Sequence, residues 1–154
     1  MKPSTRVVSA MLCVLAVLWG CAPEATERVP RDLRLEDLVG RWVLVNYWAI
    51  WCAPCRNEVP ELNALQRAHE DELVVVGVNF DAPAPEVNRA QARELGIEFP
   101  VLEKDPGPGL GANPPQALPV TLVVTPDGTL THELVGPQTR ASLEAILFGA
   151  DQAD

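Results

Sequence analysis

The chain has 154 residues, of which 47% are hydrophobic, 21% charged and 5% aromatic. That is enough for one domain with a buried core, and it excludes a disordered polyampholyte and a coiled coil. A net charge of −9 excludes a nucleic-acid surface.

The first element is an address. Lys2 and Arg6 precede the apolar run Val7 to Trp19, which is shorter than the roughly 20 residues of a spanning helix. It ends in Leu18-Trp19-Gly20-Cys21, which resembles a bacterial lipobox. The resemblance implies cleavage before Cys21 and lipid on its thiol, the alternatives being an uncleaved anchor or an ordinary secretory signal with a chance cysteine. Residues 1–20 are then a lipoprotein signal peptide, 21–31 a lipidated tether, and 32–150 the folded domain. Acyl chains at about 0.8 kcal/mol per buried CH₂ hold such a domain on a membrane. Losing Lys2 and Arg6 makes the remainder more acidic, so an anionic leaflet repels it. Export also means an oxidising compartment.

Trp42 to Trp48 is a nearly continuous run of strand formers, interrupted by Asn46, as in a strand buried on both faces. Ala53 to about Glu70 reads as a helix with Pro54 in its first turn. Leu62, Leu65 and Ala68 form its inward stripe, and Pro60 is expected to kink it. Leu73 to Phe80 is a second buried strand. A loop leads to a helix from Glu86 to Leu95, ended by Gly96. Ile97 to Leu102 is extended, and the Pro- and Gly-rich stretch Glu103 to Leu118 is mostly loop. Val120 to Val124 and Thr129 to Val135 flank the turn Thr125-Pro126-Asp127-Gly128. Gln138 to Phe148 closes as a helix. This order predicts an α/β fold, with the last hairpin making the sheet mixed.

The chemistry lies in Trp51-Cys52-Ala53-Pro54-Cys55, between the first strand and its helix. A helix N-terminus offers unpaired N–H groups and about half a positive charge, which favour a thiolate over a thiol. Cys52, at the cap and expected nearer solvent, is the candidate nucleophile. Cys55, one turn on, would resolve the mixed disulfide. An inert disulfide here closes too short a loop to stabilise much. A zinc site needs more ligands, and only His69 and His132 remain. A c-type haem needs histidine at position 56, which is Arg56. No metal or cofactor is called for beyond the redox-active pair Cys52 and Cys55.

The segment Asn46 to Pro60 is similar to the active-site region of the TlpA/ResA/DsbE group of thioredoxin-like proteins. Val76-Gly77-Val78-Asn79, Gly96 to Leu102 and Leu118-Pro119-Val120-Thr121 match as well, so the likeness covers about residues 32–148. It implies a thioredoxin-like mixed sheet flanked by helices on both faces, with that group's central insert. The activity it implies is thiol–disulfide oxidoreduction. Pro119 matches the family's cis-proline beside the disulfide, and the backbone of Leu118 the place where an extended client pairs. Glu58 matches an acidic proton acceptor near the buried cysteine; three residues past Cys55, it shares that helix face. Trp51 shields one side of the thiol. Implied partners are client proteins with disulfides or thiols and a membrane electron donor, on the periplasmic side of a bacterial membrane. Apocytochrome c thiols and copper-site cysteines are candidate clients.

Two departures stand out. Cytosolic thioredoxin has a buried aspartate where this chain has Asn46, so proton handling falls to Glu58 or water. Prolines 106, 108, 114 and 115 make the segment before Pro119 less helical than in the group. Two other functions compete. A copper carrier would use Cys52, Cys55 and His132, since soft thiolates favour Cu(I). A thiol peroxidase would set its cysteine in Pro-x-x-x-Thr-x-x-Cys, and Cys52 has no such threonine before it.

Overall fold

The computed structural model describes residues 35–149. The expected leader over residues 1–20, the expected lipidation at Cys21 and the expected tether over 21–31 lie outside the described residues.

Five strands form one mixed sheet: β1 (Trp42–Trp48), β2 (Leu73–Asn79), β3 (Val101–Leu102), β4 (Val120–Val124) and β5 (Leu130–Val135). Their order is β3-β2-β1-β4-β5. β1 runs parallel to β2 and antiparallel to β4, β2 parallel to β3, and β4 antiparallel to β5. This is the thioredoxin-like arrangement, with α2 (Pro85–Leu95) and β3 adding a crossover at one edge. β1, β2 and β4 are the central strands, which is why their sequences are almost uniformly apolar.

Alternation along β1 sorts the core onto two faces. Leu44 packs with Leu62 and Leu65 of α1 (Ala53–Ala68) and with Leu143 and Leu147 of α3 (Arg140–Phe148). Val43, Val45 and Tyr47 point the other way. There they meet Leu38 of a 3₁₀ turn, Leu35–Leu38, and Leu110 of a second, Gly107–Leu110. Helical segments therefore flank both faces, the second face carrying only short 3₁₀ ones. Prolines and glycines deny residues 103–118 the backbone donors and rigidity for a longer helix.

Several boundaries differ from the sequence expectation. α1 stops at Ala68, because the His69 backbone leaves the helical region at φ −130° and ψ 34°, and its carbonyl accepts the Glu72 and Leu73 N–H groups at 3.0 and 2.8 Å. Ala68 itself is exposed; the inward stripe is Cys55, Glu58, Val59, Leu62 and Leu65. The helix runs as one element through Pro60, whose ring lies on the exposed side. Of the extended piece 97–102, only Val101–Leu102 pairs with the sheet. α3 begins at Arg140, since Thr139 caps it and exchanges hydrogen bonds with Ser142.

Gly77, opposite Asn46 in β2, is set by packing. A Cβ there would stand 2.9 Å from Trp48 Nε1 and 3.1 Å from a Phe99 ring carbon. Both neighbours are large and buried. Gly77→Ala is expected to cost about 1–3 kcal/mol of stability by overpacking. A urea midpoint equal to the parent's would contradict that packing.

Candidate active site

β1 delivers the chain to the site, and the turn after it places Cys52 as the N-cap of α1. Cys52 and Cys55 are joined, with Cα atoms 5.3 Å apart. Cys52 Sγ accepts the Cys55 backbone N–H at 3.2 Å. The sulfur thus takes the place that a serine or aspartate oxygen takes at other helix starts. Pro54 sits in the first turn, where its missing N–H costs nothing.

The expected difference in exposure is slight. Cys52 is 3% exposed and Cys55 1%. Trp48, Ala49, Ala92 and Leu95 are buried with the pair, and Ile50 and Leu118 pack against them. The crossover helix α2 thus adds Ala92 and Leu95 to the buried cluster that holds the disulfide, an association with no local trace in the sequence. What separates the two cysteines is the hydrogen bond to Cys52.

Leu118–Pro119 is a cis peptide bond. Leu118 rests partly on the cysteine cluster and partly on the opposite core. The Pro119 carbonyl accepts the Gly136 N–H at 2.9 Å, which ties this corner to the end of β5.

Glu58 is 1% exposed, so it is not a surface carboxylate. Asn46 Nδ2 donates to its Oε2 at 2.9 Å and the Gln138 backbone N–H to its Oε1 at 2.9 Å. Asn46 Nδ2 also donates to Thr121 Oγ1 at 3.0 Å. Four segments converge here: β1, α1, β4 and the lead-in to α3. Burial pushes the Glu58 carboxyl above its ordinary value, and the two donors pull it part of the way back. Thr121 and Gln138 were not expected from the sequence. Thr121 had a signal, as the residue two beyond Pro119 in a strand laid against β1.

Trp51 is 63% exposed. Its indole N–H donates to Asp81 Oδ2 at 3.0 Å. Asp81 is held in turn, its N–H donating to Asn79 Oδ1 at 3.1 Å, while Asn79 Nδ2 donates to Gln91 of α2 at 2.8 Å. Ala82, next in the chain, takes the left-handed conformation at φ 44°, uncommon for a residue with a side chain. No local pattern in the sequence marks Asp81 as part of the site.

His132 lies exposed on β5, opposite Val123, with Nδ1 3.0 Å from Thr131 Oγ1. Among the described residues, no three His, Cys, Asp or Glu side chains gather as metal ligands would. The geometry does not bring His132 into one ligand set with the cysteines. No helix among the described residues is long and apolar enough to cross a membrane.

Comparison with known proteins fits this geometry. The AhpC/TSA family model matches residues 22–133. The chain belongs to that family. The chain is 35% identical over 115 residues to the thioredoxin-like protein YneN of Bacillus subtilis, covering 73% of this chain and 67% of the relative. It is 30% identical over 123 residues to the thiol–disulfide oxidoreductase ResA of Geobacillus kaustophilus, covering 79% and 70%. Among solved structures, a DsbF homologue from Corynebacterium diphtheriae superposes with a TM-score of 0.65 at 25% identity, covering 74% of each chain. The TlpA/ResA/DsbE likeness and the thioredoxin-like fold stand on these relatives as well as on the motif.

Proposed function

We propose that the protein is a membrane-tethered reductant of protein disulfides outside the cytoplasm. The observation that carries the thiol–disulfide chemistry in this reading is Cys52 at the head of α1, its sulfur taking the Cys55 N–H at 3.2 Å. A sulfur so placed is stabilised as a thiolate by the helix N-terminus. In the reduced protein the Cys52 thiolate attacks one sulfur of a client disulfide and expels the other as a thiolate. Cys55, losing its proton to Glu58, then attacks Cys52 Sγ. The client leaves with two thiols, and the Cys52–Cys55 disulfide forms. Leu118 and Pro119 present the edge on which an extended client lies, and Trp51 flanks the nucleophile. A membrane electron donor returns two electrons to the pair. Lipid on Cys21 keeps the domain at the membrane, and apocytochrome c whose cysteines have been oxidised to a disulfide fits the client class.

The reduction potential of the Cys52–Cys55 pair decides the direction of flow. A value near −270 mV, as for thioredoxin, is expected, and one near −120 mV makes the protein an oxidant instead. With dithiothreitol as donor, the mature protein is also expected to accelerate the reduction of insulin disulfides.

A further inference from the structure

The segment 103–118 is the least regular part of the domain, and it runs directly into Leu118 and the cis bond. Near its start, beyond the Arg89–Glu103 ion pair at 3.6 Å, a phenol holds it. Tyr47, 3% exposed at the end of β1, donates its hydroxyl to Asp105 Oδ1 at 2.5 Å. The same oxygen accepts the Gly107 N–H at 2.8 Å. Burial, followed by the bond to Asp105, pushes the phenol well above its ordinary range, so it stays a donor at any working pH. Gly107 is buried against this hydroxyl, and a Cβ there would collide with it. Further on, Leu110 and Ala112 pack on the core face that contains Tyr47, and Leu118 bridges that face to the cysteine cluster.

Phenylalanine would fill the same apolar space, so the hydroxyl serves the loop and not the core. The end of β1 divides two tasks between neighbours. Trp48 packs beneath the cysteines, and Tyr47, pointing the opposite way, holds the loop.

We propose that the Tyr47–Asp105–Gly107 clasp fixes residues 103–118 as one wall of the client-binding face. Tyr47 is then a positioning residue for recognition of protein clients and not for the sulfur chemistry. The inference rests on the oxidoreductase reading above and adds a specificity element to it.

Insulin and a small disulfide, Ellman's reagent, separate the two roles. In the full mature chain, Tyr47→Phe is expected to raise KM for insulin about three- to tenfold, the worth of one lost hydrogen bond. Insulin kcat, the rate with Ellman's reagent and the reduction potential stay at parent values. Asp105→Asn keeps an acceptor oxygen and stays near the parent, whereas Asp105→Ala follows Tyr47→Phe. Gly107→Ala raises the insulin KM in the parent background. In the Tyr47→Phe background, where the methyl group meets no hydroxyl, it adds little. An unchanged insulin KM in Tyr47→Phe overturns the proposal. So does an equal loss toward insulin and Ellman's reagent. Failure of the underlying reading looks different, because Cys52→Ser would then keep its activity toward both disulfides.

Discussion

Insulin reduction by Cys52→Ser is expected to fall to the dithiothreitol background, a loss of roughly three orders of magnitude or more, as when other covalent nucleophiles are removed. A serine hydroxyl can take the Cys55 N–H as a cap, so the helix start survives and the loss is chemical. Cys55→Ser is expected to behave differently. Its Cys52 thiolate still attacks, but nothing resolves the product, and the variant accumulates as a mixed disulfide with the client. Intact-protein mass spectrometry after mixing with excess insulin reads this directly. If the Cys52→Ser variant is the one that accumulates the adduct, the two cysteines have exchanged roles. The discriminating power comes from the structure: since both sulfurs are almost fully covered in the disulfide state, exposure does not rank them. The helix cap does, because it singles out Cys52 as the sulfur that gains most from becoming an anion.

The capping position of Cys52 was legible in the residues. A buried strand, then Cys-Ala-Pro-Cys with proline in the first helical turn, leaves little choice about where the first sulfur sits. β1, β2 and β4 were legible for a similar reason, since strands covered on both faces carry unbroken apolar runs. Residues 103–118 were not, because prolines and glycines erase both the helical and the strand period there. The grouping of Ala92 and Leu95 with the cysteines in one buried cluster was hidden as well, since a crossover helix reveals its stripe but not what lies beneath it. Glu58 was half legible. Its spacing from Cys55 put it on the same helix face, but burial and the bonds to Asn46 and Gln138 depend on residues 12 and 80 positions away. No local pattern encodes such contacts. Asp105 met the same limit, since its partner Tyr47 lies 58 positions upstream.

Glu58→Gln is expected to remove a pH dependence of stability that the parent shows, and to slow client release. The carboxyl is buried, and its partners Asn46 and Gln138 are neutral donors that offset only part of that burial. Its folded value therefore lies above the unfolded one, for which 4.5 is the reference. At a pH below that reference, the group is protonated in both states and its contribution to stability is complete. As pH rises past it, the unfolded chain ionises while the folded chain still holds the proton, and stability falls until the folded value is passed. Glutamine cannot ionise, so urea midpoints of the variant are expected to stay flatter across this window. A slope equal to the parent's would remove Glu58 as the source. The variant also pays a fixed cost at every pH. Both carboxyl oxygens accept donors, and an amide offers only one acceptor, so one N–H is left facing another donor, worth about 1–3 kcal/mol. The effect on activity is a separate signature. With no group to take the Cys55 proton, attack by Cys52 proceeds and resolution slows. Glu58→Gln is thus expected to lower kcat for insulin with little change in KM, and to leave a measurable fraction of mixed disulfide at steady state. Loss of the pH slope without that fraction would assign Glu58 to the fold alone and leave water as the proton acceptor for Cys55.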